Sequence, residues 1–290
     1  MGSYFNPLGS IDLHMHTTVS DGTDTPAEIY SRVQEEGIVL FSITDHDAVK
    51  GCRDILSMQR TRSNSRFITG VEFSARDEMG KYHILGYGYD PTGASVNALV
   101  SKGHSLRFSK LKGRISFLKD EYGFEFSGED IAQIFKLDNP GKPHLGNLMV
   151  KYGYAPSKEV AIRDYIDKAV LKSEHIGPEE TINAILGSGG IPVLAHPIYG
   201  SGDQLILGDE MDERLRHLMD LGLKGVEAFY SGFSIKLIQQ MLSFAEKYDL
   251  YVTAGSDYHG KNKLVQLGDT GFDPEFEIPK GMREFIRQVL

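Results

Sequence analysis

The feature that most constrains the fold of this chain is a recurrence of short, β-rich apolar runs, each followed by an amphipathic stretch. The runs are "SIDL" ending at Leu13, "IVLFSIT" ending at Thr44, "RFITGVEF" ending at Phe73, "YHILGYG", "GIPVLA" ending at Ala195, "KGVEAF", and "LYVTAGS" ending at Ser256. Helical spacing of apolar residues marks Thr25 to Glu36, opened by Thr-Pro, and then Pro178 to Leu186, Met211 to Leu221 and Ile235 to Tyr248. Gly37, Gly187 and Gly222 stand where helices should end. Strands alternating with helices predict parallel βα units, hence an α/β barrel or sheet. The alternation stops between about Val96 and Thr181, where Gly, Pro and Ser space a run of wholly helical segments. The predicted organisation is a catalytic α/β part over residues 8–95 and 181–290, carrying an all-helical insertion or cap over 96–180.

Composition narrows the chemistry. A hydrophobic content of 40 % is enough for a real core. No apolar run reaches the ~18 residues of a membrane span, and the start "MGSYFNPLGS" lacks signal-peptide character, so a soluble, cytoplasmic protein is expected. The single cysteine, Cys52, excludes an internal disulfide and a thiolate-rich zinc site; it reads as a small buried residue. Any metal must therefore be held by histidine and carboxylate. The net charge of −9 argues against gripping long duplex nucleic acid. Between Asn97 and Lys172, however, 13 Lys and Arg face 9 Asp and Glu, and Asn97 to Lys119 holds six basic residues and no acidic one. That stretch is either a solvated helix face or an anion-facing surface.

In "IDLHMHTTVSDGT" the imidazoles of His14 and His16, two apart on an extended segment, project to one side. Alone, H-x-H is better explained by a pair of surface histidines at a strand end. The same residue types recur at other strand ends: Asp45 and His46 in "ITDHD", Glu72 in "TGVEFS", His196 in "VLAHP", and Asp257 with His259 in "GSDYH", while His83 lies in "KYHILGYG". Active sites of parallel barrels form at the carboxyl ends of strands, so these residues are predicted to converge. Six of the ten histidines take part. With Asp21, Glu72 and Asp257 they exceed the ligand set of one tetrahedral zinc, which favours two or three divalent ions sharing bridging carboxylates.

The ordered set "DLHMH", "SDG", "TDHD", "GVEFS", "HILGYG", "VLAHP" and "GSDYHG" resembles the signature of the PHP (polymerase and histidinol phosphatase) metal-dependent phosphoesterases from Ile11 to Gly260. The helical insertion and "PHLGNLMVKYG" resemble the branch that includes ribonuclease AM and nucleoside 3′,5′-bisphosphate phosphatases. The resemblance implies a distorted seven-stranded (β/α) barrel with a trinuclear centre. One ion would take His14, His16 and Asp257, Glu72 would bridge to a second held by His83 and His196, and Asp21, His46 and His259 would hold the third. Such donors suit Mn, Fe or Zn. Asp12 and Asp45 are expected to fix imidazole tautomers instead. Water bridging two ions would be the nucleophile, with Asp257 and His259 at the reacting centre and Asp257 a candidate relay of the proton to the leaving oxygen.

"GKPHLG" stands where the family usually has Arg-Pro-His, so Lys142 offers a point charge in place of a bidentate fork. Lys142 and His144 are read either as phosphate contacts or as helix cap and surface residue, and Arg107 and Arg114 as further substrate contacts. "KAVLKSEHIGPEE" also departs from the family pattern and is expected to border the pocket. His104, His175 and His217 carry no motif and read as surface residues. The implied activity is hydrolysis of a phosphate ester in a small nucleotide or short oligonucleotide, of bisphosphate phosphatase or 5′-3′ exoribonuclease type, with no membrane and no obligatory protein partner. The alternatives are a phosphatase of a non-nucleotide monoester such as histidinol phosphate, and a non-catalytic docking module.

Overall fold

A computed structural model describes residues 10–58, 64–137, 140–171, 174–199, 205–273 and 277–290. The opening nine residues, Lys172 and Ser173 lie outside the described residues. The elements in chain order are β1 (Ser10–Asp12), α1 (Pro26–Glu35), β2 (Ile38–Phe41), α2 (Lys50–Met58), β3 (Arg66–Phe67), β4 (Gly70–Asp77), β5 (Gly80–Tyr87), α3 (Ala94–Tyr122), α4 (Gly128–Phe135), α5 (Lys142–Lys151) and α6 (Lys158–Val160). There follow α7 (Pro178–Gly187), β6 (Ile191–Leu194), α8 (Gly208–Asp220), β7 (Gly225–Tyr230), α9 (Ile235–Tyr248), β8 (Tyr251–Gly255) and α10 (Lys280–Val289). The fold is mixed α/β, and no described helix is long and apolar enough to cross a membrane.

Local sequence chemistry explains the boundaries. Thr25 caps α1 by accepting from the Glu28 amide, Glu28 accepts from the Thr25 amide in return, and Pro26 opens the helix without wasting an amide hydrogen. Ile29 and Val33 then fall on one buried stripe, and Gly37 leaves the helix with φ of 68°.

The strands form a parallel sheet β1-β2-β3 and a five-stranded sheet β4-β5-β6-β7-β8. Wholly parallel pairing was the expectation, and the structure departs from it at β5, which runs antiparallel to both β4 and β6. The cause is local: Asp77 pairs with Gly80 across a two-residue loop, Asp77 Oδ1 accepts from the Met79 amide at 2.9 Å, and Gly80 takes φ of 138°. The run "RFITGVEF" is likewise two strands, β3 and β4. At its flanks the first sheet meets the second. Leu13 donates to the Ala254 carbonyl at 2.9 Å beside a Met15–Tyr258 bridge, and a His46–Glu72 bridge joins the loop after β2 to β4.

One apolar core, with Val71, Ile84, Leu85, Val193, Val226 and Val252 among its buried side chains, lies beneath the larger sheet. A second surrounds Met15, Ile29, Phe41 and Ile55. A third, with Leu111, Leu118, Leu145, Met149 and Ile166, belongs to the helices after β5. There the expected helix "SKEVAIRDYIDKAV" is regular only over α6 and continues as a π turn over Ala161–Tyr165 and a 3-10 turn over Ile166–Lys168. The helix α3 enters two cores, with Val96 and Leu99 in the first and Leu111 and Leu118 in the third. Because Leu111 is fully buried, Leu111→Ala should lower stability by about 2–5 kcal/mol, read as a fall in the midpoint of urea unfolding.

Candidate metal centre

His14 and His16 lie just beyond β1, Asp45 and His46 beyond β2, His196 beyond β6, and Asp257 and His259 beyond β8. Glu72 does not close a strand, contrary to the sequence expectation; it is the third residue of β4. It still faces the site because Ser74 pairs with His83 and Glu72 with Leu85, which puts Glu72 and His83 on one sheet face as diagonal neighbours. His196 and Asp257 adopt φ of 27° and 57°, and Asp47, next to His46, adopts 47°. Left-handed backbone at non-glycine residues is strained, and it clusters here at the strand ends.

The predicted residues converge. His14 Nε2 and His16 Nε2 are 3.2 Å apart, and Glu72 Oε2 stands 3.3 and 3.1 Å from them. Asp257 Oδ1 stands 3.5 and 3.3 Å from the same two nitrogens. Donor atoms held about 2.1 Å from one ion are separated by about 3.0–3.4 Å from one another, which matches His14, His16 and Glu72, with Asp257 Oδ1 close to both imidazoles. The other oxygen, Glu72 Oε1, lies 2.9 Å from His83 Nδ1 and 3.3 Å from His196 Nε2, and those nitrogens are 3.2 Å apart. His16, Asp21, His46 and His259 form a further group whose donor atoms all fall within 4.8 Å of one another, and His46 Nδ1 also stands 3.1 Å from Glu72 Oε2.

Whether this donor set fits metal ions can be judged from its hydrogen bonds. Glu72 Oε2 and Asp21 Oδ1 are buried and lack a hydrogen-bond partner, although several imidazole nitrogens surround them. Lone pairs are thus directed at shared points rather than at hydrogens, an arrangement that a cation satisfies. Burial alone would raise the Glu72 carboxyl, but His46, His14 and His83 hold it well below the ordinary glutamate range.

The side chains that hold these donors differ from those expected. Asp12 and Asp45 fix no imidazole. Asp12 accepts from Ser256 Oγ at 2.6 Å, from the Ser256 and Gly268 amides at 3.0 and 2.8 Å, and from the His14 amide at 3.3 Å. Burial pushes its carboxyl up to about 6. Asp45 accepts from the Thr17 amide and Ser20 Oγ, each at 2.7 Å. The imidazole support comes from Glu227, which sequence reasoning did not single out. It meets His14 Nδ1 at 2.9 Å and accepts from the His196 amide at 2.7 Å. A glutamate inside the apolar strand run "KGVEAF" was the available signal. Tyr230 and Lys263, also missed, both donate to Asp257 Oδ2. Gly255 allows the packing, since a Cβ there would stand 2.2 Å from His14 Cβ and 2.3 Å from Glu227 Oε1.

The centre opens through Asp21, His46 and His83 onto a cavity of about 830 Å³ between the sheet and the helices after β5. Arg107, Arg114 and Lys142 line it. Arg107 Nε donates to Asp47 Oδ2 at 2.7 Å, and Lys142 pairs with Asp167. His144 is half-buried, and its Nδ1 accepts from the Gly141 amide at 3.1 Å, a cap for α5. Of the histidines expected at the surface, His175 is exposed, at the rim of the cavity, while His104 and His217 are partly buried, His104 packing at a tilt on Phe108 and His217 pairing with Asp77 at 2.7 Å. Cys52 is buried, as expected, and burial raises its thiol to about 11.

Comparison with known proteins agrees with this geometry. The chain is 28% identical over 267 residues to a 3′,5′-nucleoside bisphosphate phosphatase of Chromobacterium violaceum, covering 87% of this chain and 88% of the relative. It is 26% identical over 260 residues to a 5′-3′ exoribonuclease of Haemophilus influenzae, covering 89% and 92%. A crystal structure described as that of a metal-dependent phosphoesterase from Bifidobacterium adolescentis superposes with a TM-score of 0.80 at 26% identity over 96% of each chain. The PHP domain family model matches residues 12–176, more than half of the sequence, and the chain belongs to that family.

Proposed function

We propose that this protein is a metal-dependent phosphoesterase that hydrolyses a phosphate ester of a small nucleotide or short oligonucleotide. The observation that carries the reading is the pair of donor sets sharing Glu72, with atoms 2.9–3.5 Å apart, at the mouth of a cavity lined by cations. In this reading His14, His16 and Asp257 would hold one ion and His83 and His196 a second, with Glu72 shared between them. Asp21, His46 and His259 would hold a third. The distances around both oxygens of Glu72 support the first two sets, and the grouping of Asp21, His46 and His259 supports the last. The donors suit Mn, Fe or Zn, and the bridges at Met15 and His46 support the finer description of the fold as a distorted (β/α)7 barrel.

Bound ions would supply Lewis acidity toward phosphoryl oxygens and a nucleophile from water near neutral pH. The chain's own groups do the rest. Glu227 fixes His14 and the His196 backbone together, so two donor sets keep one spacing. Tyr230 and Lys263 occupy Asp257 Oδ2 and leave Oδ1 turned toward His14 and His16; a proton relay through Asp257 competes with both donors, and His259 beside it shares the reacting end. Arg107 is the phosphate contact nearest the centre, oriented by Asp47 and by Ser74 Oγ at 3.3 Å. Arg114 and Lys142 extend that cationic wall outward, while His144, a cap of α5, does not line the cavity and reaches a phosphate only if its ring turns.

Mn-loaded protein should release phosphate from a nucleoside 3′,5′-bisphosphate or nucleotides from a 5′-phosphorylated oligoribonucleotide. Chelation should abolish turnover and added Mn should restore it, and His14→Ala should lose at least about 100-fold; turnover that persists in the chelated protein would sink the assignment. Glu227→Gln, which keeps the shape and removes one of two acceptors, should weaken metal binding about 10–100-fold, measured by competition with a chromophoric chelator.

A further inference from the structure

The outer part of the cavity carries charges that the metal centre does not use. On the sheet face that presents Glu72 and His83, the next positions along β4 and β5 are Arg76 and Lys81, and these two are direct cross-strand partners. Like charges opposite one another destabilise a ladder, and both side chains line the cavity. Lys81 is two residues from His83, about 7 Å along the strand, which sets its backbone one residue pair further out than the candidate metal ligands. Lys110 approaches from α3, three residues after Arg107 and therefore on the same helical stripe, and its Nζ lies 3.4 Å from His175 Nδ1. An ammonium only donates, so His175 keeps Nε2–H as a further donor.

Arg107 and Lys142 are neutralised by Asp47 and Asp167. Among the described residues no carboxylate comes within ion-pair distance of Arg76, Lys81, Lys110 or His175. The crowding of positive charge acts on Lys110 and His175. Partial burial, Arg114, Arg107 and Arg76 push the Lys110 ammonium down, with Asp47 opposing, and burial, Lys110, Arg76 and Lys81 do the same to His175. Four donors that repel one another around a single hollow form a site that an anion stabilises.

We propose that Arg76, Lys81, Lys110 and His175 form a second anion subsite, which receives a substrate phosphate other than the one hydrolysed and favours oligonucleotides extended beyond a single nucleotide. The proposal rests on the phosphoesterase reading for the identity of the extended substrate.

The test compares full-length Mn-loaded wild type with the triple variant Arg76→Ala, Lys81→Ala, Lys110→Ala on a nucleoside 3′,5′-bisphosphate and a 5′-phosphorylated tetranucleotide. The ratio of kcat/KM for the tetranucleotide to that for the bisphosphate should fall about tenfold, through KM. The dependence of log affinity on log salt for the tetranucleotide should flatten by about 0.7 per lost contact, about 2 in all. A ratio and salt slope equal to wild type would overturn the subsite. Should the triple variant fold poorly, Lys110→Gln alone must still lower the ratio and flatten the slope. If the wild type turns over neither substrate, the phosphoesterase reading fails by itself, and tetranucleotide binding by fluorescence anisotropy judges the subsite: affinity lost in the variant supports it, and equal or absent binding overturns it.

Discussion

The site depends on one buried carboxylate. Glu72 is almost wholly shielded from water, yet five imidazoles reach its two oxygens within 3.3 Å: His14, His16 and His46 at one, His83 and His196 at the other. A buried carboxylate without counter-charge is costly, and the imidazoles offset it only while they are protonated. Cations shared between the two oxygens would supply the counter-charge when the imidazoles are neutral. The same atoms that define the chemistry are therefore those whose electrostatics the fold must solve, so metal occupancy and stability are coupled.

The rest of the architecture delivers donors to that carboxylate from distant parts of the chain. Asp12 ties the segment carrying His14 to the loop carrying Asp257 through Ser256, and to Gly268 as well. Glu227 ties His14 to His196. Asp47 donates its amide to the Glu72 carbonyl at 2.8 Å and accepts from Arg107, linking the centre to α3. Three carboxylates thus act as structural clamps, each satisfied by several donors.

The convergence of these nine residues was legible in the sequence because imidazoles and carboxylates in or just after β-rich runs are an anomaly that repeats, although Glu72 and His83 lie within their strands. The helices were legible from apolar spacing and caps, as at Thr25–Glu28. The turn of β5 was not, because "RDEMGK" lacks the Asn-Gly or Asp-Gly signal of tight hairpins. The clamps escaped for a different reason. Glu227 acts through His14, 213 residues away, and Tyr230 through Asp257, 27 residues away, while Lys263 lies only six residues beyond Asp257 but carries no motif that marks it. The tasks of Asp12 and Asp45 were misassigned because local sequence does not distinguish a carboxylate that holds amides from one that holds imidazoles.

The helix α3 is 29 residues long, about 43 Å, and it is seated in two separate cores. It works as a ruler. Its basic stripe is held above the candidate metal centre by packing at both ends and by the contacts of Arg107 with Asp47 and Ser74 inside the cavity. The wall of the cavity that α3 supplies and the cluster of imidazoles and carboxylates at the strand ends thus come from different parts of one chain, joined where Arg107 meets Asp47.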